Sequence, residues 1–134
     1  MIYKILTPII FLIAQFIIAF WGNFSGHISS KDTFFSVPFD NDFLATLLLQ
    51  FKYLWLLVII NFLFSMGFNF GFTGYKGFLT LMLLWVAAGP IAAFVFNFFF
   101  TKQQVNTALI VGAVLIVAGG VLVAANKEIM LIFK

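Results

Sequence analysis

The stretch W-V-A-A-G-P-I-A-A-F-V-F-N-F-F-F-T-K-Q-Q-V-N-T-A-L-I-V-G-A-V-L-I-V-A-G-G, from Trp85 to Gly120, decides the fold. Two apolar runs flank a short polar link, Thr101 to Asn106. The first run carries a kink signal, Trp85 followed by Gly89 and Pro90, and the second a ridge of small and branched residues, Gly112, Leu115, Ile116 and Gly119. Small residues at such spacing let two helices approach closely inside a bilayer, where there is no hydrophobic force between them and packing must supply the attraction. The pattern predicts a transmembrane helical hairpin.

Composition extends that reading to the whole chain. Of 134 residues, 64% are hydrophobic and only 8% charged, against about a quarter charged in an average soluble domain. All seven basic residues are Lys, and they fall mostly between apolar runs together with three Asp and one Glu. A polytopic membrane protein places its charges in this way. The formal charge of +3 is spread over span boundaries, which suits lipid headgroups and lacks the clustered basic face that nucleic acid requires. There is no Cys, so disulfides and thiolate metal sites are excluded.

Working outward, the spacing predicts four transmembrane helices over about 5–21, 43–72, 78–100 and 106–125, a single four-helix domain with a polar loop at 23–42. The first begins at Lys4, tolerates Pro8 near its start and ends at an interfacial Trp21. No small-x-small cleavage site follows it, so it is read as an anchor and not as a signal peptide. The loop holds His27, Lys31, Asp32, Asp40 and Asp42 with interleaved Phe24, Phe34, Phe35 and Phe39; Asn23-Phe24-Ser25 matches a glycosylation sequon and is read as a chance match beside the membrane. The second helix is longer than a bilayer needs, so its opening turns, up to Lys52, Tyr53 and Trp55, are expected at the interface. Within it Asn61, Ser65 and Asn69 form one polar stripe, and Gly67 and Gly71 lie on the neighbouring face. Gly71, Gly74 and Gly77 with Lys76 are expected to form a tight turn. Pro90 should bend the third helix, and the fourth is given to packing, with a short apolar tail to Lys134. Lys4, Lys76, Lys127 and Lys134 against Lys31, Lys52 and Lys102 favour cytoplasmic termini in an inner or plasma membrane.

In its ordered motifs the chain resembles the small multidrug resistance proteins of the drug/metabolite transporter superfamily. The resemblance rests on Trp85 and Gly89, then Phe99-Phe100-Thr101-Lys102-Gln103-Gln104, then Gly112, Leu115, Ile116 and Gly119. Leu12-Ile13-Ala14-Gln15 stands where that family has an apolar-Ala-Glu signature. The resemblance implies a four-helix membrane bundle, an antiparallel dimer, and helix 4 as the dimerisation surface through Gly112, Leu115, Ile116 and Gly119. It also implies transport, with one departure. The family's proton-coupled exporters use a membrane-embedded Glu on helix 1, and Gln15 occupies that position; a Gln neither titrates nor attracts a cation. Phe62 and Met82 stand where family members carry aromatic hydroxyls. Relatives that move polyprenyl-phosphate-linked aminosugars also tend to carry Gln, which makes a neutral or lipid-linked substrate the nearer analogy.

The expected substrate-binding residues are Gln15, Asn61, Ser65, Trp85 and Asn97. Each has a plainer reading: Gln15 and the Asn61 stripe as interhelical hydrogen bonding, Trp85 as packing. No enzyme constellation is found, since His27 with the loop carboxylates falls short of a metal or acid–base site, and no cofactor is implied. Two functions follow as expectations. One is a transporter or flippase-like protein, paired as a homodimer or with a homologous subunit. The other is a non-transporting accessory subunit of a larger membrane complex.

Overall fold

The computed structural model describes residues 1–27, 33–34, 37–38 and 41–125. Its elements are α1 (Ile2–Ser25), β1 (Thr33–Phe34), β2 (Val37–Pro38), α2 (Asp42–Lys52), α3 (Leu54–Tyr75), α4 (Phe78–Phe96), a π-helical turn (Asn97–Thr101) and α5 (Thr107–Ala124). The two short strands pair antiparallel, Thr33 opposite Pro38 and Phe34 opposite Val37. Among the described residues four helices are long and apolar enough to cross a membrane: α1, α3, α4 with its π turn, and α5. The chain is built as an all-α, multi-pass membrane protein. Lys31, Asp32 and Asp40 of the polar loop, and the tail through Lys127 to Lys134, lie outside the described residues.

The expected helix over 43–72 is two helices, and Tyr53 is the break, with φ −106° and ψ 17°. Its ring is held by Phe24 at 4.7 Å and Trp21 at 5.7 Å, which ties the joint to the end of α1. α2 has 11 residues, about 16 Å, and is too short to span. Asn41 caps it by accepting from the Leu44 N–H at 2.8 Å, while Asp42 in its first turn and Lys52 in its last complement the helix dipole. Ala45 and Leu49 are buried, whereas Phe43, Leu47 and Phe51 recur every fourth residue on an exposed apolar face. A short helix with such a face is compatible with the expected place at the interface. Removing it leaves α3 with 22 residues, about 33 Å and close to one bilayer crossing.

The expected glycine turn is also corrected. α3 continues through Gly71 and Gly74 to Tyr75, and the reversal needs only Lys76, in the left-handed region at φ 58°, and Gly77. The glycines serve close packing instead. A Cβ at Gly67 would stand 2.7 Å from Phe11 Cδ1, and one at Gly74 would stand 3.2 Å from the Lys4 backbone nitrogen. Gly71 likewise admits Leu81 and Thr7.

α1 is the central strut, packed against both α3 and α4. Around it Phe11, Phe68, Leu81 and Ala88 form the core. Its ends reach beyond the expected 5–21 because Pro8 does not interrupt it. Proline has no N–H for the carbonyl four residues earlier, and that carbonyl, on Lys4, accepts from the Tyr75 hydroxyl at 2.8 Å. Thr7, fully buried beside it, donates to the Tyr3 carbonyl at 2.8 Å. α5 touches α4 through Gly120, its one buried residue among those described, where Ala87 occupies the space a Cβ would need.

Candidate functional site

The five residues expected to bind substrate fall into three places. Gln15 and Trp85 come together: the Gln15 Nε2 donates to the Trp85 carbonyl at 3.2 Å. Gly89 lies beside this contact, where a Cβ would stand at an ordinary contact distance, 3.6 Å from Gln15 Oε1. Pro90 withdraws the intrahelical donor of the Val86 carbonyl, and the Gln15 amide bonds the carbonyl one residue earlier. The Trp85 ring itself is in the core, edge-on to Phe64 at 4.8 Å and to Phe11 at 5.3 Å. Gln15 is half-buried and Trp85 likewise, so the pair joins α1 to α4 at mid-span.

Asn61 and Ser65 are elsewhere. Both are exposed, as is Asn69, so the stripe runs along the outer face of α3. The buried face of the same helix is that of Ile60, Gly67, Phe68 and Gly71. Asn61 turns its amide onto its own helix, donating to the Leu57 carbonyl at 3.0 Å. Within one chain the stripe and the Gln15–Trp85 pair face no common space.

Asn97 closes the π turn. Its Nδ2 donates to the Gln103 carbonyl at 3.0 Å, its Oδ1 accepts from the Gln103 N–H at 2.9 Å and from the Thr101 hydroxyl, and its carbonyl accepts from the Lys102 N–H at 2.7 Å. These bonds hold Lys102 in the left-handed region at φ 50°. Asn106 then caps α5, accepting from the Leu109 N–H at 2.8 Å.

The expected dimer ridge lies on α5. A Cβ at Gly112 or Gly119 would meet nothing within 4 Å, and Leu115 is 68% exposed. Ile116 borders a cleft between the end of α1, α4 and α5. That cleft, of about 530 Å³, is one that sequence reasoning missed. Asn23, Thr101, Gln103 and Gln104 give it a polar rim, and Phe94 and Ala113 are among its apolar walls. The polar run Thr101 to Asn106 was its visible signal, but pairing with Asn23 across 78 positions was not. Among the described residues no carboxylate, His or Lys lines it, and those that do offer neutral hydrogen-bonding groups over an apolar floor.

Comparison with protein-family models, with curated proteins and with solved structures finds no match in any of the three.

Proposed function

We propose that the chain is one half of a paired membrane transporter or flippase-like assembly, of the small multidrug resistance architecture, that moves a small neutral or lipid-linked substrate. The observation that carries this reading is the outward stripe of Asn61, Ser65 and Asn69 on a helix of spanning length. An amide or hydroxyl facing hydrocarbon without a partner costs on the order of 2–7 kcal/mol. Asn61 offsets part of that cost through the Leu57 carbonyl. The rest is relieved when the stripe meets water or a second protein surface. A pair of chains apposed through α3 supplies such a space, with the open ridge of Gly112, Leu115, Ile116 and Gly119 as a further chain–chain contact. Gln15 carries no charge, so coupling to protons through that position is not part of the proposal.

A second reading is favoured by a specific contact. The Gln15 amide donates to the Trp85 carbonyl, and Asn97 is engaged by its own turn, which suits an accessory subunit whose polar groups act as interhelical fasteners. The absence of Cys from the sequence makes the test direct. Single Cys replacements at Asn61, Ser65 and Asn69, and at the neighbouring exposed Val58 and Phe62, are labelled in native membranes with a membrane-impermeant maleimide. A water-filled pathway gives labelling of the three stripe positions at least about tenfold faster than of the two controls. If the stripe stays unlabelled in membranes and reacts only after detergent extraction, the accessory reading replaces the transporter.

A further inference from the structure

α4 and α5 meet closely at Ala87 and Gly120 and part beyond Pro90. The space between them is a groove of about 730 Å³ in whose lining α1 and α3 take no part. Pro90, Phe94 and Val95 form one wall, and Ile110, Ala113 and Ala118 part of the other. From Ala118 to Ile110 it follows about 12 Å of helix. Every lining residue is apolar. Phe94, Val95 and Val105 are shared with a second hollow of about 960 Å³, at the end of the spans, lined also by Phe98, Gln103 and Lys102. The two are one trough, greasy along the spans and cationic at its mouth.

Among the described residues Lys102 is the only charged one along this trough. The sole carboxylate among the described residues, Asp42, is on α2, outside it. Asn97, at the same mouth, has its side-chain amide and carbonyl engaged by Gln103. Among the described residues the mouth therefore presents one positive charge with no carboxylate lining it, at the depth where the polar link leaves the bilayer. A protein helix in this position would bring no necessary anion, whereas a phospholipid brings both a phosphate and an acyl chain.

We propose that the trough holds one anionic phospholipid, its phosphate against the Lys102 ammonium and one acyl chain lying between α4 and α5 as far as Ala118. The site is independent of the α3 stripe and of any transport through it. Gly112, Leu115, Ile116 and Gly119 do not line the trough, so pairing through that ridge leaves it open. A net anion is favoured over a zwitterion because choline in phosphatidylcholine already compensates its phosphate.

The full chain is placed in nanodiscs of equal phosphatidylglycerol and phosphatidylcholine with identical acyl chains, and retained lipid is read by native mass spectrometry. The expected result is one retained lipid per chain, with phosphatidylglycerol favoured at least about fivefold. Lys102→Gln should bring the ratio to near one, while Lys102→Arg keeps the preference. Ala118→Phe, which fills the trough without touching its charge, should lower retention of both lipids several-fold. Equal retention of the two lipids by the native chain, or a preference that survives Lys102→Gln, overturns the assignment. So does retention that Ala118→Phe leaves unchanged.

Discussion

Gly120 and Ala87 provide a sharp test of how the hairpin closes. A Cβ added at Gly120 falls on the Ala87 Cβ, which is fixed to the α4 backbone and cannot swing aside. Carbon atoms rest at about 3.5–4.0 Å, so Gly120→Ala must push the helices apart by roughly 1 Å or more. Overpacking of this kind costs about 1–3 kcal/mol, against which Ala gains up to about 1 kcal/mol of helix propensity over Gly. The single variant should therefore lose about 0–2 kcal/mol. Ala87→Gly loses about 1 kcal/mol of propensity and about 0.8 kcal/mol for the buried methyl. In the double variant the methyl has changed helix, the propensity terms cancel, and the contact is restored from the other side. Stability should return to within about 0.5 kcal/mol of the native chain, a coupling of about 2–4 kcal/mol between neighbours. Unfolding by titration with dodecyl sulfate in mixed micelles, followed by tryptophan fluorescence, measures all four proteins. Additive losses, within the about 0.3–0.5 kcal/mol expected of independent sites, would refute this closure of α4 on α5.

Three further outcomes are expected. Tyr75→Phe leaves the Lys4 carbonyl without the donor that Pro8 cannot supply, and should cost about 0.5–1.5 kcal/mol; with Pro8→Ala, which restores an intrahelical N–H, the same change should cost less in the micelle titration. Asn97→Ala removes the side-chain bonds to both backbone groups of Gln103 and to Thr101. At about 0.5–1.5 kcal/mol each the loss is about 1.5–4.5 kcal/mol, with amide exchange rising first between residues 97 and 106. Gly112→Leu with Gly119→Leu should leave monomer stability unchanged, because both glycines face open space, while the dimer seen by native mass spectrometry weakens at least tenfold, about 1.4 kcal/mol; an unaltered dimer would remove the ridge from the proposed interface.

The spans were legible because hydropathy and bilayer thickness together fix both their number and approximate length. The break at Tyr53 was half legible: Lys52, Tyr53 and Trp55 marked an interface, but the joint itself depends on Trp21 and Phe24 closing around one ring. Glycine was the least readable residue. Periodicity puts Gly67 and Gly71 on a face beside the polar stripe with no partner assigned, and Gly71 and Gly74 look like part of a turn. In the fold they are the surface on which α1 lies, because a helix's close-packed side is specified by what its partner inserts, here Phe11, Thr7 and the Lys4 backbone. The expected site dispersed for a related reason. Helical periodicity places Asn61 and Ser65 on one face of α3, yet it carries no information on whether that face turns toward Gln15 or away.

Two interhelical bonds explain why α1 holds its place, and that bears on how a paired assembly would move. Pro8 withdraws the donor of the Lys4 carbonyl, which is bonded from α3 by Tyr75, and the Trp85 carbonyl of α4 is bonded from α1 by Gln15. Both bonds therefore run between α1 and a neighbour, one near its start and one at mid-span. Sliding α1 by a turn would break both and pull Phe11 from between Phe68 and Trp85. α5 is held far less, with Gly120 its one buried residue among those described. Under the transporter reading, alternating exposure of the α3 stripe then comes from rocking one α1–α3–α4 unit against its partner, with α5 the element able to shift.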